Sequence, residues 1–410
     1  MLQTIVENRK THLDSITYGE TTPSTRSFED ALRGTNRIIM ECKAASPSKG
    51  KIRDNYQPGK LARIYSRYAD AISVLCEPTY FNGHYHHLRT VAMSTHLPVL
   101  CKDFIVDEVQ VRAARYFGAD AILLMLSVLS DAQYRHLAEI ARSLNLDVLT
   151  ETATENEVRR AINLDAKIIG INNRNLHDLS IDLTRTNRLR TLIPADRIVV
   201  AESGISSVQD IRSTDANAFL VGSHLAQQPD VDMAIRKLIY GENKVCGLTT
   251  PEAAQAARAA GAVYGGLIFE PSSPRYVSRE TAENIMAAEP DLNYIAVTRS
   301  TVPIDLPVQQ HGNGPADWRA VNPETDPIPD GQLVLDTGGG TGKTFDWNTI
   351  PKHALSRSLL AGGLNLSNLT DALNVCTRGL DLNSGVETNG VKDPTKLAHA
   401  FDIIRNHKND

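Results

Sequence analysis

The sequence predicts an α/β protein made of two (β/α)8 barrels in tandem, the second of them truncated. Short apolar runs that end abruptly in a polar residue occur eight times in each half of the chain, and amphipathic helical patterns separate most of them. The pattern restarts after residues 241–243. Such runs suit strands buried on both faces of a parallel sheet, and their alternation with helices indicates βα units. Eight consecutive units favour a closed barrel, with an open sheet as the alternative.

The length and spacing place the truncation. A barrel of this kind takes about 250 residues, so two complete ones would need about 500, and the chain has 410. We expect a full barrel in residues 1–243 and an incomplete one in residues 244–410. In the second, only residues 300–306 separate strands three and four, and only residues 313–316 separate strands four and five. A parallel crossover needs about a dozen residues, so no helix fits at either place. A Pro-rich loop replaces the helix after strand five.

Composition excludes several classes of function. The net charge is −5, from 43 basic and 48 acidic residues with interspersed signs, which does not predict a nucleic-acid partner. The longest apolar run, 121–126, is far shorter than the ~18–20 residues of a membrane span, so no membrane partner is expected. The five cysteines are scattered without a CxxC pair, which argues against disulfides and zinc and favours the cytoplasm. No metal and no cofactor are predicted, and His84, His86 and His87 are expected in a solvated loop.

Polar and charged side chains cluster where the strands of the first half end. Sites of (β/α)8 enzymes lie at the C-terminal ends of the strands. Residues two apart on a strand, as in the pair Glu41 and Lys43, point to the same face. Lysines and glutamates are seldom buried unless paired, so this rim predicts acid–base chemistry on an anionic substrate, with a structural ion-pair network as the alternative. The rim residues are Glu41, Lys43, Lys102, Glu151, Asn172, Arg174, Glu202 and Ser203.

The two halves echo each other near their ends, where AESGISSVQDI…AFLVGSHL parallels LLAGGLNLSNLTDAL…GLDLNSGVE. In each, a strand ends in a Gly-containing turn, a short helix follows, and a second Gly/Ser turn comes later. Backbone N–H groups in such turns and at helix N-termini favour anions, and the loops after strands seven and eight are the usual phosphate site of the fold. The matched pairs predict two phosphate sites, whereas a single pair would be an ordinary turn between helix and strand.

The first half carries, in order, the motifs IIMECKAASPSKG, VLCKDFIV, LTET, IGINNRNL, VVAESGI and FLVGS. Together they resemble indole-3-glycerol-phosphate synthase, a (β/α)8 carboxy-lyase of tryptophan biosynthesis, over essentially all of residues 1–241. The resemblance implies closure of 1-(2-carboxyphenylamino)-1-deoxyribulose 5-phosphate to indole-3-glycerol phosphate, with loss of carbon dioxide and water. The implied roles are Lys102 as general acid, Glu151 as its acid–base partner in dehydration and Glu41 as the orienting residue. The implied substrate contacts are Lys43 at the carboxylate, Phe81 at the anthranilate ring, Asn172, Arg174, Glu202 and Ser203 in the pocket, and Ser46, Gly204, Gly222 and Ser223 at the phosphate.

The second half carries KVCGLTTPEAAQAARAAGAVYGGLIF, SSPRYV, LDTGGGTGKTFDW, LLAGGLN and NSGVE. These motifs resemble phosphoribosylanthranilate isomerase, which acts one step earlier, and the order of the two halves resembles the fused bifunctional enzyme of enteric-type bacteria. The resemblance implies an Amadori rearrangement of N-(5-phosphoribosyl)anthranilate, with Asp336 as acid and Cys246 as base. The implied substrate contacts are Arg275 at the anthranilate carboxylate, and Gly340, Thr341, Gly362, Gly363 and Ser384 at the phosphate. The partners implied for both halves are small phosphorylated anthranilate-derived substrates.

Each assignment in the second half has a plainer alternative. A cysteine is more often a small buried apolar residue than a base, and Asp336 could simply begin a turn. Missing helices would expose apolar strand faces, so we expect a partner subunit, the first barrel or disorder to account for them. The second half is therefore either a working isomerase on a trimmed scaffold or a non-catalytic remnant with an interaction or stabilising role. We expect a monomer, with self-association through the truncated barrel as the alternative.

Overall fold

The computed structural model describes residues 1–47, 50–53, 55–175, 178–300, 304–337 and 344–409. It divides into two compact units, Met1–Asp232 and Met233–Asp410. The division falls inside the helix Val231–Tyr240. The boundary between residues 243 and 244 concerns the two functions and stays a prediction.

The strands of the first unit are β1 (Arg37–Cys42), β2 (Ala45–Ser46), β3 (Gly50–Lys51), β4 (Ala71–Leu75), β5 (Val99–Lys102), β6 (Ala121–Met125), β7 (Asp147–Thr152), β8 (Ile168–Asn172), β9 (Ile198–Glu202) and β10 (Ala218–Val221). Those of the second unit are β11 (Lys244–Cys246), β12 (Tyr264–Ile268), β13 (Asn293–Thr298), β14 (Val308–Gln310), β15 (Trp318–Val321), β16 (Gln332–Leu335), β17 (Ser358–Leu360), β18 (Gly379–Leu382), β19 (Glu387–Thr388) and β20 (Val391–Lys392).

The first twelve helices are α1 (Leu2–Lys10), α2 (Phe28–Ala31), α3 (Pro58–Tyr65), α4 (Pro78–Phe81), α5 (Tyr85–Ala92), α6 (Glu108–Tyr116), α7 (Asp131–Ser143), α8 (Glu155–Asn163), α9 (Thr184–Arg190), α10 (Val208–Ser213), α11 (Ser223–Ala226) and α12 (Val231–Tyr240). The remaining ones are α13 (Pro251–Ala260), α14 (Arg279–Ala288), α15 (Lys352–Leu355), α16 (Leu369–Asn374) and α17 (Pro394–Asn406). Within the described ranges, no helix is both long and apolar enough to cross a membrane.

The first unit is a closed barrel of eight parallel strands, β1, β4, β5, β6, β7, β8, β9 and β10, with β10 pairing back to β1. Helices follow every strand, as predicted. The barrel interior is an apolar cluster that includes Ile39, Leu100 and Leu149, and Phe28 and Leu32 from around α2 join it. Side-chain caps set where the helices begin: Asp107, Ser130 and Ser207 form capping boxes at α6, α7 and α10. The loops at the C-terminal ends of the strands are thereby held in place.

The stretch containing His84, His86 and His87 differs from the prediction in its backbone. It forms the N-cap and first turn of α5 instead of a loop, whereas His84 and His86 are exposed to solvent as predicted. His84 is the N-cap, and its Nδ1 accepts a hydrogen bond from the backbone N–H of His86 at 3.0 Å. A ring nitrogen here accepts the hydrogen bond that a side-chain oxygen usually accepts from an unpaired N–H at a helix start. The sequence pattern did not reveal this histidine cap.

The second unit is also a closed parallel barrel, formed by β11 to β18 in chain order with β18 pairing back to β11. Helices α13 and α14 follow its first two strands. Among the described residues between β13 and β16 there is no helix, which confirms the predicted truncation. Helices resume with α15 and α16, and the short hairpin of β19 and β20 precedes α17. The barrel closes even though its central crossovers are short loops.

The truncated side is covered by the chain's own loops, which was not among the expected solutions. Ile304, Leu306 and Ile328 lie in the loops that replace helices, and all three pack partly buried against the outer apolar core. None of the large apolar residues that are exposed in the described ranges comes from this region. Loop side chains thus replace part of the apolar cover that helices give elsewhere.

Two polar side chains tie these loops together. Gln310 donates to the carbonyl of Ser300 at 3.1 Å and accepts from the N–H of Gly312 at 3.1 Å. Arg319 donates to the carbonyl of Gly312, and at 2.6 Å to that of Gly314. These half-buried or exposed backbone groups thus receive from side chains hydrogen bonds that a helix would make internally.

Candidate active sites

The first barrel opens into a cavity of about 360 Å³ at the C-terminal ends of its strands. Every site residue predicted for this unit lines it, so the structure brings together side chains from strands and loops far apart in sequence. These residues are Glu41, Lys43, Ser46, Phe81, Lys102, Glu151, Asn172, Arg174, Glu202, Ser203, Gly204, Gly222 and Ser223.

Two ion pairs form the charged floor of this cavity. Lys102 Nζ lies 2.7 Å from Glu202 Oε2, and Lys43 Nζ lies 2.6 Å from Glu41 Oε1. Burial opposes the charge on Lys102, but the carboxylates of Glu202, Glu41 and Glu151 outweigh it and hold the pKa of Lys102 above its ordinary value. Lys102 therefore stays an ammonium at neutral pH and can donate a proton to an oxygen that becomes basic during a reaction.

The surroundings shift the pKa values of Glu151 and Glu41 in opposite directions. Burial, followed by the negative charge of Glu202, raises the pKa of Glu151 to about 7. Asn172 Nδ2 donates to Glu151 Oε1 at 3.2 Å. Burial also opposes ionisation of Glu41, but Lys43 and Lys102 overcome it and lower its pKa. Glu151 can thus both take and give a proton near neutral pH, whereas Glu41 remains charged.

The two ends of the cavity differ in polarity. At one end, Ser203 (φ +67°) and Gly204 (φ +89°) turn the chain after β9, and Gly222 is the N-cap of the short α11. At the other, the rings of Phe81 and Phe104 lie 6.0 Å apart. Loops with exposed backbone N–H groups suit an anion, and the aromatic pair suits a planar apolar ring.

The sequence did not reveal the part that α1 plays in this site. Leu2 and Ile5 of that helix line the cavity. Arg9, from the same helix, forms a buried ion pair of 2.6 Å with Asp103, the residue after Lys102, and Tyr85 Oη donates to Asp103 at 3.1 Å. The partners lie far apart along the chain, so no local pattern could have identified the pair.

The predicted residues of the second unit also lie at strand ends. Cys246 ends β11, Arg275 follows β12, and Asp336 directly follows β16. Gly362 (φ +83°) and Gly363 (φ +67°) follow β17, and Ser384 follows β18. Gly340 and Thr341 lie outside the described residues.

The side chain of Arg275 crosses the loop that follows β11. Its guanidinium donates to both carboxylate oxygens of Glu387, at 2.8 and 2.7 Å, and Lys392 pairs with the same carboxylate. Gly247 follows Cys246 with φ +69°, and a Cβ there would lie 2.5 Å from Arg275 Cδ, so the arginine crosses where only glycine leaves room. Glu387 and Lys392 belong to the hairpin of β19 and β20, and sequence reasoning did not identify either.

Burial raises the pKa of the Cys246 thiol, and the nearby Lys244 opposes that rise. Lys244 precedes Cys246 by two positions on β11, so both side chains point to the same face. The two-residue spacing that linked Glu41 to Lys43 could have identified Lys244, but the lysine lies before the strand end rather than at it.

Comparison with known proteins also assigns the two parts of the chain to two different families. A family model for indole-3-glycerol phosphate synthase matches residues 2–238. A model for N-(5'-phosphoribosyl)anthranilate isomerase matches residues 302–402, a range that includes Asp336 but begins after Cys246 and Arg275.

Curated relatives match almost the whole chain. A tryptophan biosynthesis protein TrpCF from Corynebacterium glutamicum is 53% identical over 461 residues, covering 98% of this chain and 97% of that protein. Its counterpart from Yersinia pestis is 46% identical, covering 94% and 88%. Among solved structures, phosphoribosyl anthranilate isomerase from Thermus thermophilus is 29% identical, covers 39% of this chain and 96% of that one, and has a TM-score of 0.36.

Proposed function

This chain belongs to the TrpCF family of bifunctional tryptophan-biosynthesis proteins, and from that premise we propose how its two barrels divide the chemistry. The second barrel isomerises N-(5-phosphoribosyl)anthranilate to 1-(2-carboxyphenylamino)-1-deoxyribulose 5-phosphate. The first closes that product to indole-3-glycerol phosphate, releasing carbon dioxide and water. The product of one barrel is the substrate of the other.

In the first barrel, Lys102 protonates the substrate carbonyl oxygen as the aromatic carbon attacks the carbonyl carbon. A charged lysine among three carboxylates suits this role, because its ammonium is available at neutral pH. Lys43 holds the substrate carboxylate until carbon dioxide leaves, and Glu41 keeps Lys43 in position through their ion pair. Glu151 then moves the protons of dehydration, for which its pKa of about 7 is suited.

The rest of the cavity determines how the substrate lies. The phosphate occupies the end formed by Ser46, Gly204, Gly222 and Ser223, and the anthranilate ring lies against Phe81. Asn172 and Arg174 line the side between them, with Glu202 and Ser203 completing the set. The opposite polarity of the two ends supports this orientation.

In the second barrel, Asp336 protonates the ring oxygen of the sugar so that the ring opens to an imine. Cys246 as thiolate then removes the proton from the neighbouring carbon, and the enamine formed relaxes to the aminoketose. Arg275, already oriented by Glu387, binds the anthranilate carboxylate. Gly340, Thr341, Gly362, Gly363 and Ser384 bind the phosphate. The alternative, a non-catalytic remnant, is not favoured, because the second unit still closes as a barrel and Cys246, Arg275 and Asp336 lie at or after its strand ends, in a chain whose relatives are named TrpCF.

The single observation that carries the synthase assignment is the pairing of a charged Lys102 with a Glu151 of near-neutral pKa in one cavity. We also expect a cytoplasmic monomer. The residue assignments are tested by two assays, one per reaction, on the full chain with Lys102→Ala and Asp336→Ala. We expect each variant to lose about 10²–10⁴-fold of one activity and to keep the other. Synthase turnover at full rate in Lys102→Ala, or isomerase turnover at full rate in Asp336→Ala, would contradict the corresponding role.

A further inference from the structure

A fully buried lysine lies beneath the isomerase site, and the proposed steps do not use it. Lys244 has no solvent exposure, and its ammonium carries three N–H donors. One donates to Asp381 Oδ2 at 2.7 Å and another to Gln309 Oε1 at 2.6 Å. Lysines are almost never fully buried unless paired, so a cation kept here needs a reason.

Cys246 lies on the same face of β11 as this lysine, and its sulfur interacts electrostatically with the ammonium. Both converge over Gly266 on the neighbouring strand: a Cβ at that position would lie 2.8 Å from Cys246 Sγ and 2.8 Å from Lys244 Cε. The missing side chain of Gly266 leaves the space that the end of the Lys244 side chain and the Cys246 sulfur share.

Charge around Cys246 favours the thiolate and opposes burial, which raises the pKa of the thiol. Lys244, Lys392 and Arg275 carry positive charge, whereas Asp381 and Glu387 carry negative charge, so three cations face two carboxylates. A thiolate at Cys246 balances the surplus. A neutral thiol leaves it uncompensated in a buried place, where interactions between charges are strongest.

The imidazole of His311, which lies close to Lys244, does not alter this count. Burial lowers the pKa of His311 to about 4, so the imidazole is neutral. Gln309 accepts from Lys244 through its oxygen, so its amide N–H donates to His311 Nε2 at 2.9 Å. Gln309 thereby fixes both the direction of the ammonium and the tautomer of the imidazole.

We propose that Lys244 is a positioning residue of the isomerase that stabilises the thiolate form of Cys246 against burial, with Asp381 and Gln309 holding its ammonium in place beside Cys246. The proposal rests on the assignment of Cys246 as the base. Lys244 transfers no proton: the substrate proton moves to the Cys246 sulfur, and Lys244 stabilises the anion before that step and after the proton has left again.

The test is a thiolate titration of the full chain, followed by ultraviolet absorbance and taken as the difference from Cys246→Ala. Lys244→Met keeps the length of the side chain and removes its charge. We expect it to raise the titration midpoint of Cys246 by about 1–2 pH units and to lower isomerase kcat/KM at neutral pH about tenfold or more, mainly through kcat. Asp381→Asn removes a negative neighbour and should move the midpoint downward.

Because the two variants should shift the titration midpoint in opposite directions, an electrostatic effect can be told from a general loss of structure. The synthase activity of the same molecule serves as an internal measure of protein amount. An unchanged midpoint in Lys244→Met, with native tryptophan emission, would overturn the proposal. If Lys244→Met does not fold, Asp381→Asn decides: a lower midpoint supports the proposal and an unchanged or higher one refutes it. Full isomerase activity in Cys246→Ala would refute the base assignment, whereas the titration would still report on Lys244.

Discussion

The two barrels of this chain present equivalent rims on unequal scaffolds. Helices follow every strand of the first barrel, whereas the second has none among the described residues between β13 and β16. Both nevertheless close, and both place their predicted chemistry at the C-terminal ends of the strands. The barrel sheet, more than the outer layer, positions the site. Because short loops at the centre of the second barrel still allow parallel pairing, the outer helices can be lost where no site residue depends on them.

The charged groups of the two rims also act differently on the pKa of the residue at their centre. In the first, carboxylates surround a lysine, and the proposed acid–base group is Glu151, whose pKa burial and Glu202 raise to about 7. In the second, cations surround a cysteine, and Lys244 opposes the effect of burial on its thiol. In the first site the surroundings make Glu151 a weaker acid, and in the second Lys244 limits how far burial raises the pKa of the Cys246 thiol. The difference follows from which charges the neighbouring strand ends supply.

The largest expected effect concerns Glu151. Glu151→Gln mimics the protonated carboxyl and removes acid–base function, so synthase kcat should fall about 10²–10⁴-fold and lose the arm of its pH profile near pH 7, with isomerase activity unchanged. The same change should stabilise the first unit. The folded pKa lies above the ordinary 4.5, so the stability that Glu151 contributes is fully present below about pH 4.5 and is lost as the pH rises through about 7.

At pH 8 we therefore expect the variant to unfold with up to about 3 kcal/mol more free energy than the wild type, and with no gain at pH 4. Denaturant unfolding at both pH values, followed by loss of synthase activity in the wild type and by circular dichroism in both, measures this. Glu139→Gln, at an exposed carboxyl on α7, is the control. Equal stability of Glu151→Gln and wild type at pH 8 would mean that Glu151 does not titrate near neutrality.

The sequence predicted the residues that line the first site far better than the residues that hold them in position. Glu41, Lys102 and Glu151 could be identified because each ends a buried apolar run, a pattern that local sequence displays. Arg9 could not, because its partner Asp103 becomes a neighbour only after the barrel closes. The cover of the second barrel was missed for a related reason. Spacing showed that helices were absent, but the packing of loop residues such as Ile328 depends on tertiary contacts.

A smaller effect should follow from releasing the loops of the truncated side. Arg319→Met removes the donors to Gly312 and Gly314, leaving two carbonyls without these partners, and should cost the second unit about 1–3 kcal/mol of unfolding free energy. The chain's two tryptophans, Trp318 and Trp347, both lie in this unit, so their emission follows its unfolding alone.

The matched control is Arg279→Met, which breaks an exposed pair with Glu283 on α14 and should cost no more than about 0.5 kcal/mol. Synthase activity should be unaffected by either change. Equal costs for the two arginines would mean that the short loops hold themselves without Arg319, and the truncated side would then need another explanation for its order.

The smallest cost is expected where a loop residue, rather than a helix residue, covers the core of the second barrel, with a helix residue as the reference. Leu369, on α16, is fully buried, so Leu369→Ala should cost about 2–5 kcal/mol. Leu306, in a loop that replaces a helix, is only partly buried against the same core, and Leu306→Ala should cost about 1 kcal/mol because less apolar surface and a smaller cavity are involved. Tryptophan-monitored denaturant unfolding gives both values in one assay. A cost for Leu306→Ala that equals that of Leu369→Ala would show that the loops pack as tightly as helices do. The small cost expected here would instead mean that the barrel tolerates its truncation because its strands pair, and that the loops mainly keep water from the strand faces.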